Sequence, residues 1–190
     1  MPLILITGVP GIGKTTLIRN LSVELLKRKI GFNGFYTEEI RNHEGQRCGF
    51  DIVTFDGKRA PLARVNGPGS NAAAKNNFVG KYAVCVTEFE SIALDVLVNR
   101  PLGEILLLDE IGKMELKSRK FEENIKRITD GVIREELFLI ATIPLKVRLN
   151  TVERLKTIQN VRLFHVTLSS RKSIQQDILG VITQTLGNSD

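Results

Sequence analysis

Short apolar runs alternate with amphipathic segments along most of this chain. Residues 2–7 are an apolar run of strand length, and a glycine-rich turn follows at once. Residues 14–28 then place Leu17, Leu21 and Leu25 on one face of a predicted helix. A strand, a glycine turn and a helix in this order are typical of the beginning of an α/β fold.

The pattern changes between residues 35 and 65, where three strands separated by turns are predicted. Residues 35–40 and 50–55 have the character of strands, and residues 42–45 form a turn between them. Asp56 and Gly57 are a tight hairpin signal, so a third strand is predicted after them. We expect an antiparallel meander that is inserted in the α/β chain and packs onto its sheet. Residues 66–77 are predicted to be a loop and are the best candidate for mobility.

The alternation then resumes and continues to residue 186. The predicted strands are residues 82–86, 104–109, 137–142 and 161–166. The predicted helices are residues 88–98, 118–129, 151–158 and 170–186. This alternation predicts a mainly parallel sheet with helices on both faces, in a single domain that spans residues 1–190.

Composition constrains the ligands and the cellular environment. With 42% hydrophobic and 25% charged residues the chain is typical of a globular domain, and no apolar run approaches the roughly 20 residues that span a membrane. The net charge of +6 fits a nucleic acid or a polyanionic small substrate. The basic residues are scattered, so we do not favour nucleic acid. Cys48 and Cys85 fit neither a disulfide framework nor a zinc site, which predicts a reducing, cytoplasmic compartment.

One segment carries a specific signal for phosphate chemistry. It fits the pattern Gly-x-x-x-x-Gly-Lys-Thr and consists of Gly8, Val9, Pro10, Gly11, Ile12, Gly13, Lys14 and Thr15. Its glycines let the backbone wrap around a polyphosphate, and the N–H groups at the helix start point toward that ligand. Lys14 is predicted to reach the β- and γ-phosphates, Thr15 to ligate Mg²⁺ and Thr16 to contact the α-phosphate. The segment predicts the binding of nucleoside triphosphates.

A second acidic motif follows the apolar residues 105–108. Asp109 lies at the carboxyl end of this predicted central strand, where open α/β sheets bind ligands. We assign Asp109 to Mg²⁺ and the adjacent Glu110 to the activation of the attacking water. By themselves the two carboxylates could equally cap the next helix. The phosphate loop favours the catalytic interpretation, because phosphoryl transfer requires an acidic partner of this kind.

Two further positions carry weaker signals. Thr142 ends the next predicted strand and could sense the γ-phosphate, although a threonine at a strand end more often only forms a turn. Arg171 follows the last strand and could stack on the nucleobase. A helix cap formed by Ser169 or Ser170 is the simpler interpretation of that loop.

Several longer strings resemble the cancer-related nucleoside-triphosphatase family. They are residues 8–16, 34–39, 49–51, 61–65 and 79–82, and the string Asp-Glu-Ile-Gly-Lys-Met-Glu-Leu at residues 109–116. The resemblance implies a P-loop NTPase three-layer sandwich and Mg²⁺-dependent hydrolysis of nucleoside triphosphates with low base selectivity. It also places Gly112 and Arg171 among the nucleotide-binding residues. The chain departs from the family at Cys85, where relatives often carry an acidic residue, and at Ser170, where they tend to carry Asn.

Two other functions remain open. A small-molecule or nucleotide kinase would share the fold and the phosphate loop, and a nucleic-acid-linked module could use the nucleotide as a switch. For the hydrolase we expect slow turnover, because the sequence contains no certain arginine finger. Lys113, Arg64 and Arg148 are the candidates to supply that charge, and Lys113 is the first choice because it closely follows Glu110. We also expect a monomer.

Overall fold

The computed structural model describes residues 3–65, 77–99 and 103–187. The strands within these residues are β1 (Leu3–Gly8), β2 (Phe32–Arg41), β3 (Arg47–Thr54), β4 (Arg59–Val65), β5 (Phe78–Val79), β6 (Tyr82–Val84), β7 (Ile105–Leu108), β8 (Phe138–Thr142) and β9 (Arg162–Val166). The helices are α1 (Lys14–Lys27), α2 (Val86–Val98), α3 (Arg119–Ile133), α4 (Asn150–Lys156) and α5 (Ile174–Gly187). The predicted loop at 66–77 lies outside the described residues, except for Asn77.

The strands described form one sheet in the order β5-β6-β4-β3-β2-β7-β8-β1-β9. From β2 to β9 every neighbouring pair is parallel, whereas β3, β4, β6 and β5 continue the sheet in antiparallel fashion. Strand β8 lies between β1 and β7. The carboxyl ends of these three strands therefore meet at one edge of the sheet, which is where open α/β sheets bind ligands.

The meander is part of the sheet, and the expectation that it packs onto the sheet was wrong. Strand β2 is ten residues long and begins at Phe32, three residues before the predicted start. Its first four residues pair with β7 in parallel, and the segment from Phe35 to Arg41 pairs with β3 in antiparallel register. A single strand therefore joins the two halves of the sheet. Its second half projects beyond the carboxyl end of β7, because Phe35 is paired with Leu108.

Two hydrophobic clusters occupy the two faces of the sheet and complete a three-layer architecture. One contains residues of α2, α3 and α4, and the other contains residues of α1 and α5. The residues of β7 alternate between them, because Leu106 and Leu108 face the first cluster while Ile105 and Leu107 face the second. Burial on both faces explains why this strand is a continuous apolar run rather than an alternating one.

Most predicted elements agree with the structure to within a few residues. The clearest difference is α5, which begins at Ile174 and not at residue 170. The intervening chain forms a turn, in which the Thr167 N–H donates to Ser170 Oγ over 3.0 Å and the Ser170 N–H donates to Thr167 Oγ1 over 3.1 Å. Among the described residues no helix has the length and apolar character required to cross a membrane.

Candidate active site

The phosphate loop joins β1 to α1 and requires glycine at two positions for different reasons. Gly13 precedes the first residue of α1 with φ of 110°, a left-handed conformation that favours glycine. At Gly8 a Cβ atom would lie 2.8 Å from the carbonyl oxygen of Val166 on the neighbouring strand. No side chain caps α1, and its first turn contains no acidic residue. The free amides and the positive end of the helix dipole therefore suit an anionic ligand.

Lys14 lies between the phosphate loop and the end of β7. Its ammonium Nζ is 3.4 Å from the carbonyl oxygen of Gly8 and 3.7 Å from Oε2 of Glu110. The side chain is only 11% exposed. The structure thus brings together the cation and the carboxylate that the sequence predicted as partners in catalysis.

Asp109 follows β7 and is 2% exposed. Its Oδ2 accepts a hydrogen bond from Thr15 Oγ1 over 2.6 Å, and its Oδ1 accepts one from Thr142 Oγ1 over 2.5 Å. Burial raises the pKa of this carboxyl group, while the two hydroxyl donors and the charge of Lys14 oppose that rise. The carboxylate therefore holds three elements together, namely the end of β7, the start of α1 and the end of β8.

Thr142 is fully buried, and its hydroxyl group is directed at the acidic centre. Sequence reasoning preferred a turn-forming threonine here. The structure instead ends β8 at Thr142 and bonds its side chain to Asp109. Its backbone carbonyl also accepts from the Ile111 N–H over 2.9 Å, which ties the segment after β7 to β8.

Glu110 combines partial burial with two charged neighbours. Burial raises its pKa, the charge of Lys14 lowers it, and the nearby Asp109 raises it further. The interpretation of Asp109 and Glu110 as a helix cap is wrong, because Ser118 caps α3 by accepting the Phe121 N–H over 3.0 Å. Glu110 is therefore free of a capping role and lies beside Lys14, where it could accept a proton.

Glu115 is a third carboxylate at this site and was not among the predicted site residues. It begins a short 3₁₀ helix (Glu115–Lys117), is 4% exposed, and accepts the Gly112 N–H over 3.2 Å. A Cβ atom on Gly112 would lie 2.7 Å from Glu110 Oε1 and 3.0 Å from Glu115 Oε2, so the two carboxyl groups lie close to this glycine. Burial, together with the charges of Glu110 and Asp109, raises the pKa of Glu115 to about 8.

The three candidates to place a positive charge on the γ-phosphate lie in different parts of the structure. Lys113 is exposed next to buried Gly112, and Arg148 is exposed in the segment that follows β8. Arg64 is held by an ion pair with Asp51 and by a hydrogen bond to the Phe50 carbonyl oxygen over 2.7 Å. It belongs to β4, which β3 and β2 separate from β7. The structure therefore removes Arg64 from the candidates for a charge on the γ-phosphate.

Arg171 is exposed and lines a cavity beside the phosphate loop. The cavity has a volume of about 330 Å³ and lies between the first turns of α1 and the start of α5. Thr16 also lines it, and its contact with the α-phosphate stays a prediction. The full lining comprises Gly11, Ile12, Gly13, Thr16, Leu17, Asn20, Val166, Arg171 and Gln175.

Comparison with known proteins gives consistent matches over nearly the whole chain. A family model described as NTPase matches residues 3–179. The chain is 42% identical to the nucleoside-triphosphatase THEP1 of Thermotoga sp. strain RQ2 over 94% of each chain. It is 39% identical to the human cancer-related nucleoside-triphosphatase over 93% of this chain and 94% of the relative. The solution structure of a human cancer-related nucleoside triphosphatase superposes with a TM-score of 0.81 at 36% identity, covering 97% and 98% of the two chains.

These matches agree with the site in a specific way. The matched residues include both the phosphate loop that connects β1 to α1 and the acidic segment after β7. The strand order that brings these two segments to one edge is that of an α/β sheet with helices on both faces. The chain belongs to the NTPase family and has the P-loop NTPase fold.

Proposed function

We propose that this protein is a nucleoside-triphosphatase, which hydrolyses ATP, GTP, CTP and UTP to the diphosphate and phosphate and depends on Mg²⁺. The observation that carries the proposal is the hydrogen bond between Thr15 of the phosphate loop and Asp109 at the end of β7. It joins the two motifs that phosphoryl transfer requires, and Lys14 and Glu110 lie beside it.

The oxygen donors at this point fit Mg²⁺. Thr15 supplies a hydroxyl and Asp109 a carboxylate, which are the hard oxygen ligands that this ion prefers. In the described residues no group of three or more His, Cys, Asp or Glu side chains is arranged to hold a metal. Mg²⁺ at a nucleoside triphosphate is usually held by one or two protein ligands together with the substrate phosphates, so Thr15 and Asp109 would suffice on the protein side. Bound there, Mg²⁺ would neutralise charge on the β- and γ-phosphate oxygens.

The side chains around this point divide the reaction between them. The free amides at the start of α1 and the Lys14 ammonium bind the phosphates and stabilise their negative charge. Glu110 accepts a proton from the water whose oxygen attacks the γ-phosphorus. The bond from that phosphorus to the bridging oxygen breaks, and the diphosphate leaves. The Lys14 ammonium lies 3.7 Å from Glu110 Oε2, and its positive charge stabilises the ionised form of that carboxyl group.

Slow turnover and broad base tolerance belong to the same proposal. Lys113 and Arg148 are exposed, and within the described residues no ion pair or hydrogen bond of their side chains fixes either of them as an arginine finger. Without such a charge, intrinsic hydrolysis of this class can be as slow as about 10⁻⁴ s⁻¹. Base tolerance is supported by the phosphate-directed character of the loop, which grips the triphosphate rather than the base.

The experiment that tests this function is phosphate release from each of the four NTPs with Mg²⁺, with and without a panel of nucleosides and nucleotides. We expect phosphate release from all four NTPs that requires Mg²⁺ and is independent of the added molecules. Transfer of the γ-phosphoryl group to an added acceptor, without release of free phosphate, would indicate a kinase instead.

A further inference from the structure

The turn that follows β7 is anchored in the core of the protein. Ile111 is fully buried in the hydrophobic cluster that contains residues of α2, α3 and α4, and Met114 and Leu116 pack against the same cluster. The Leu116 N–H donates to the Gly112 carbonyl oxygen over 3.1 Å, which closes the turn on itself. The backbone that carries Gly112 and Glu115 is therefore held in place by the core.

Glu115 is buried in this turn, although the proposed reaction does not use it. The residue is 4% exposed, and its Oε2 accepts a hydrogen bond from the Gly112 N–H over 3.2 Å. Burial of a carboxyl group costs free energy, which a hydrogen bond to a neutral amide only partly offsets. The stability of the fold therefore does not explain why a carboxyl group lies at this position.

Gly112 lies next to the carboxyl groups of both Glu115 and Glu110. A Cβ atom on Gly112 would lie 2.7 Å from Oε1 and 2.9 Å from Cγ of Glu110, so this side chain packs closely against the glycine. The other carboxyl oxygen, Oε2 of Glu110, is 3.7 Å from Lys14 Nζ. One oxygen of the proposed proton acceptor thus faces a cation, and the other lies against a peptide that Glu115 holds.

We propose that Glu115 is a positioning residue, which fixes the direction of the Glu110 carboxylate through Gly112. Without an acceptor at residue 115 the Gly112 N–H loses its partner, and the backbone against which Glu110 packs can move. A displacement of a catalytic group by about 1 Å can lower the rate by about 10²-fold. The inference rests on the proposed function, because Glu115 acts only through the proton acceptor of that reaction.

Glu115→Met removes the hydrogen-bond acceptor and keeps the length of the side chain. We expect kcat for phosphate release to fall by about 10- to 100-fold, while the affinity for the nucleotide stays at its wild-type value. Glu115→Gln keeps an oxygen that can accept the Gly112 N–H, so it should retain most of the wild-type kcat. A residue with only a structural role would not separate kcat from affinity in this way.

Gly112→Ala tests the same path without a change at the buried residue 115. The nearest neighbours of the new methyl group would be side-chain atoms of Glu110 and Glu115, which can rotate away. Gly112 is not among the glycines with positive φ, so alanine fits its backbone and the variant should fold. The methyl group should displace the Glu110 carboxylate and lower kcat at unchanged affinity.

The decisive comparison repeats Glu115→Met in a protein that already carries Glu110→Gln. A residue that acts through Glu110 has no carboxylate left to position there, so the double variant should release phosphate as fast as Glu110→Gln alone. Independent effects would multiply instead. Glu122→Met is the matched control, because Glu122 is half-buried in α3 and accepts the Thr151 hydroxyl over 2.7 Å. Its kcat should equal that of the wild-type protein.

Phosphate release is measured with ATP and Mg²⁺, and affinity by calorimetry with a non-hydrolysable analogue of ATP. Undiminished release from Glu110→Gln would contradict the proposed function and this inference together. If Glu110→Gln is slow, a wild-type kcat in Glu115→Met or Gly112→Ala would overturn only the inference.

Four further results would also overturn the inference alone. They are a loss of affinity that accompanies the loss of kcat, a Glu115→Gln protein as slow as Glu115→Met, a double variant slower than Glu110→Gln, and an equal loss of kcat in Glu122→Met.

Discussion

The hydroxyl of Thr15 donates a hydrogen bond to Asp109 over 2.6 Å, across 94 positions of sequence. Thr15 is the second residue of α1, and Asp109 directly follows strand β7. Because β8 lies between β1 and β7, the two residues reach one another above its end, where Thr142 contacts the same carboxylate. The ends of three strands therefore meet at the candidate site.

Removal of the Lys14 ammonium should abolish most of the activity. In Lys14→Ala the phosphates lose a partly buried cation, and we expect kcat to fall by about 10²–10³. The free energy of unfolding should change little, because the side chain makes only a long hydrogen bond of 3.4 Å and a 3.7 Å ion pair. Phosphate-release kinetics and urea unfolding check both points. Normal turnover of a folded Lys14→Ala protein would refute the assignment of the phosphate site.

Asp109→Asn should weaken the binding of the Mg²⁺ complex of the nucleotide. The amide keeps the shape of the side chain but removes the charge that would hold the ion. Calorimetry with and without Mg²⁺ measures the effect, and the gain in affinity that Mg²⁺ gives the wild-type protein should be largely lost. If Mg²⁺ strengthens nucleotide binding equally in both proteins, Asp109 is not a ligand of the ion.

Thr142→Val should be more harmful than Thr142→Ser. Valine removes the hydroxyl that donates to Asp109 and leaves that buried carboxylate short of a donor, at a cost of about 1–3 kcal/mol in the free energy of unfolding. Serine keeps the donor and deletes only a methyl group, for about 1 kcal/mol. The affinity for the Mg²⁺–nucleotide complex should fall in the valine variant and persist in the serine variant. Equal losses of affinity would assign Thr142 a packing role only.

Glu115 should make the stability of the nucleotide-free protein depend on pH. Its pKa is about 8 in the folded protein, against an ordinary value of 4.5, so the folded state keeps a proton that the unfolded state releases. This contribution to stability is complete below pH 4.5 and is lost as the pH rises toward 8. In Glu115→Gln the side chain at this position is neutral at every pH, so the variant should not show this pH-dependent loss of stability.

Urea unfolding at pH 5 and pH 8, without nucleotide, measures the difference. Between pH 5 and pH 8 the free energy of unfolding should fall by about 2–4 kcal/mol more in the wild-type protein than in Glu115→Gln. The pKa values of Glu110 and Asp109 are also raised, but both residues are present in the wild-type protein and in the variant. The difference between the two proteins therefore reports on Glu115. An identical pH dependence in both proteins would show that Glu115 is not the group responsible.

The order of strands and helices was accessible from the sequence because its signals are local. The phosphate loop is a contiguous motif, and the apolar run before Asp109 marks a strand that is buried on both faces. The course of β2 was not accessible, because nothing in residues 32–41 states that one strand pairs with β7 and β3 in succession. The antiparallel pairing with β3 was predicted as part of the meander. The parallel pairing with β7 involves a partner about 70 positions away, a distance over which periodicity carries no information.

The site residues that the sequence did not reveal depend on burial and packing. Glu115 becomes a site residue only because residues 112–117 bury it beside Glu110, and its sole signal in the sequence was a place in the family-like string after Asp109. Gln175 lines the cavity together with residues of α1, which depends on the packing of α5 against α1. Neither burial nor the packing of two helices can be obtained from the spacing of residue types.

The central claim is that Glu110 drives hydrolysis at a site that binds the nucleotide without it. The most direct measurement compares Glu110→Gln with the wild-type protein in nucleotide affinity and in the rate of Mg²⁺-dependent phosphate release. We predict that the affinity persists while kcat falls by about 10²–10⁴, because the amide keeps the shape of the side chain but cannot accept the proton of the attacking water. Undiminished phosphate release from Glu110→Gln would contradict the account.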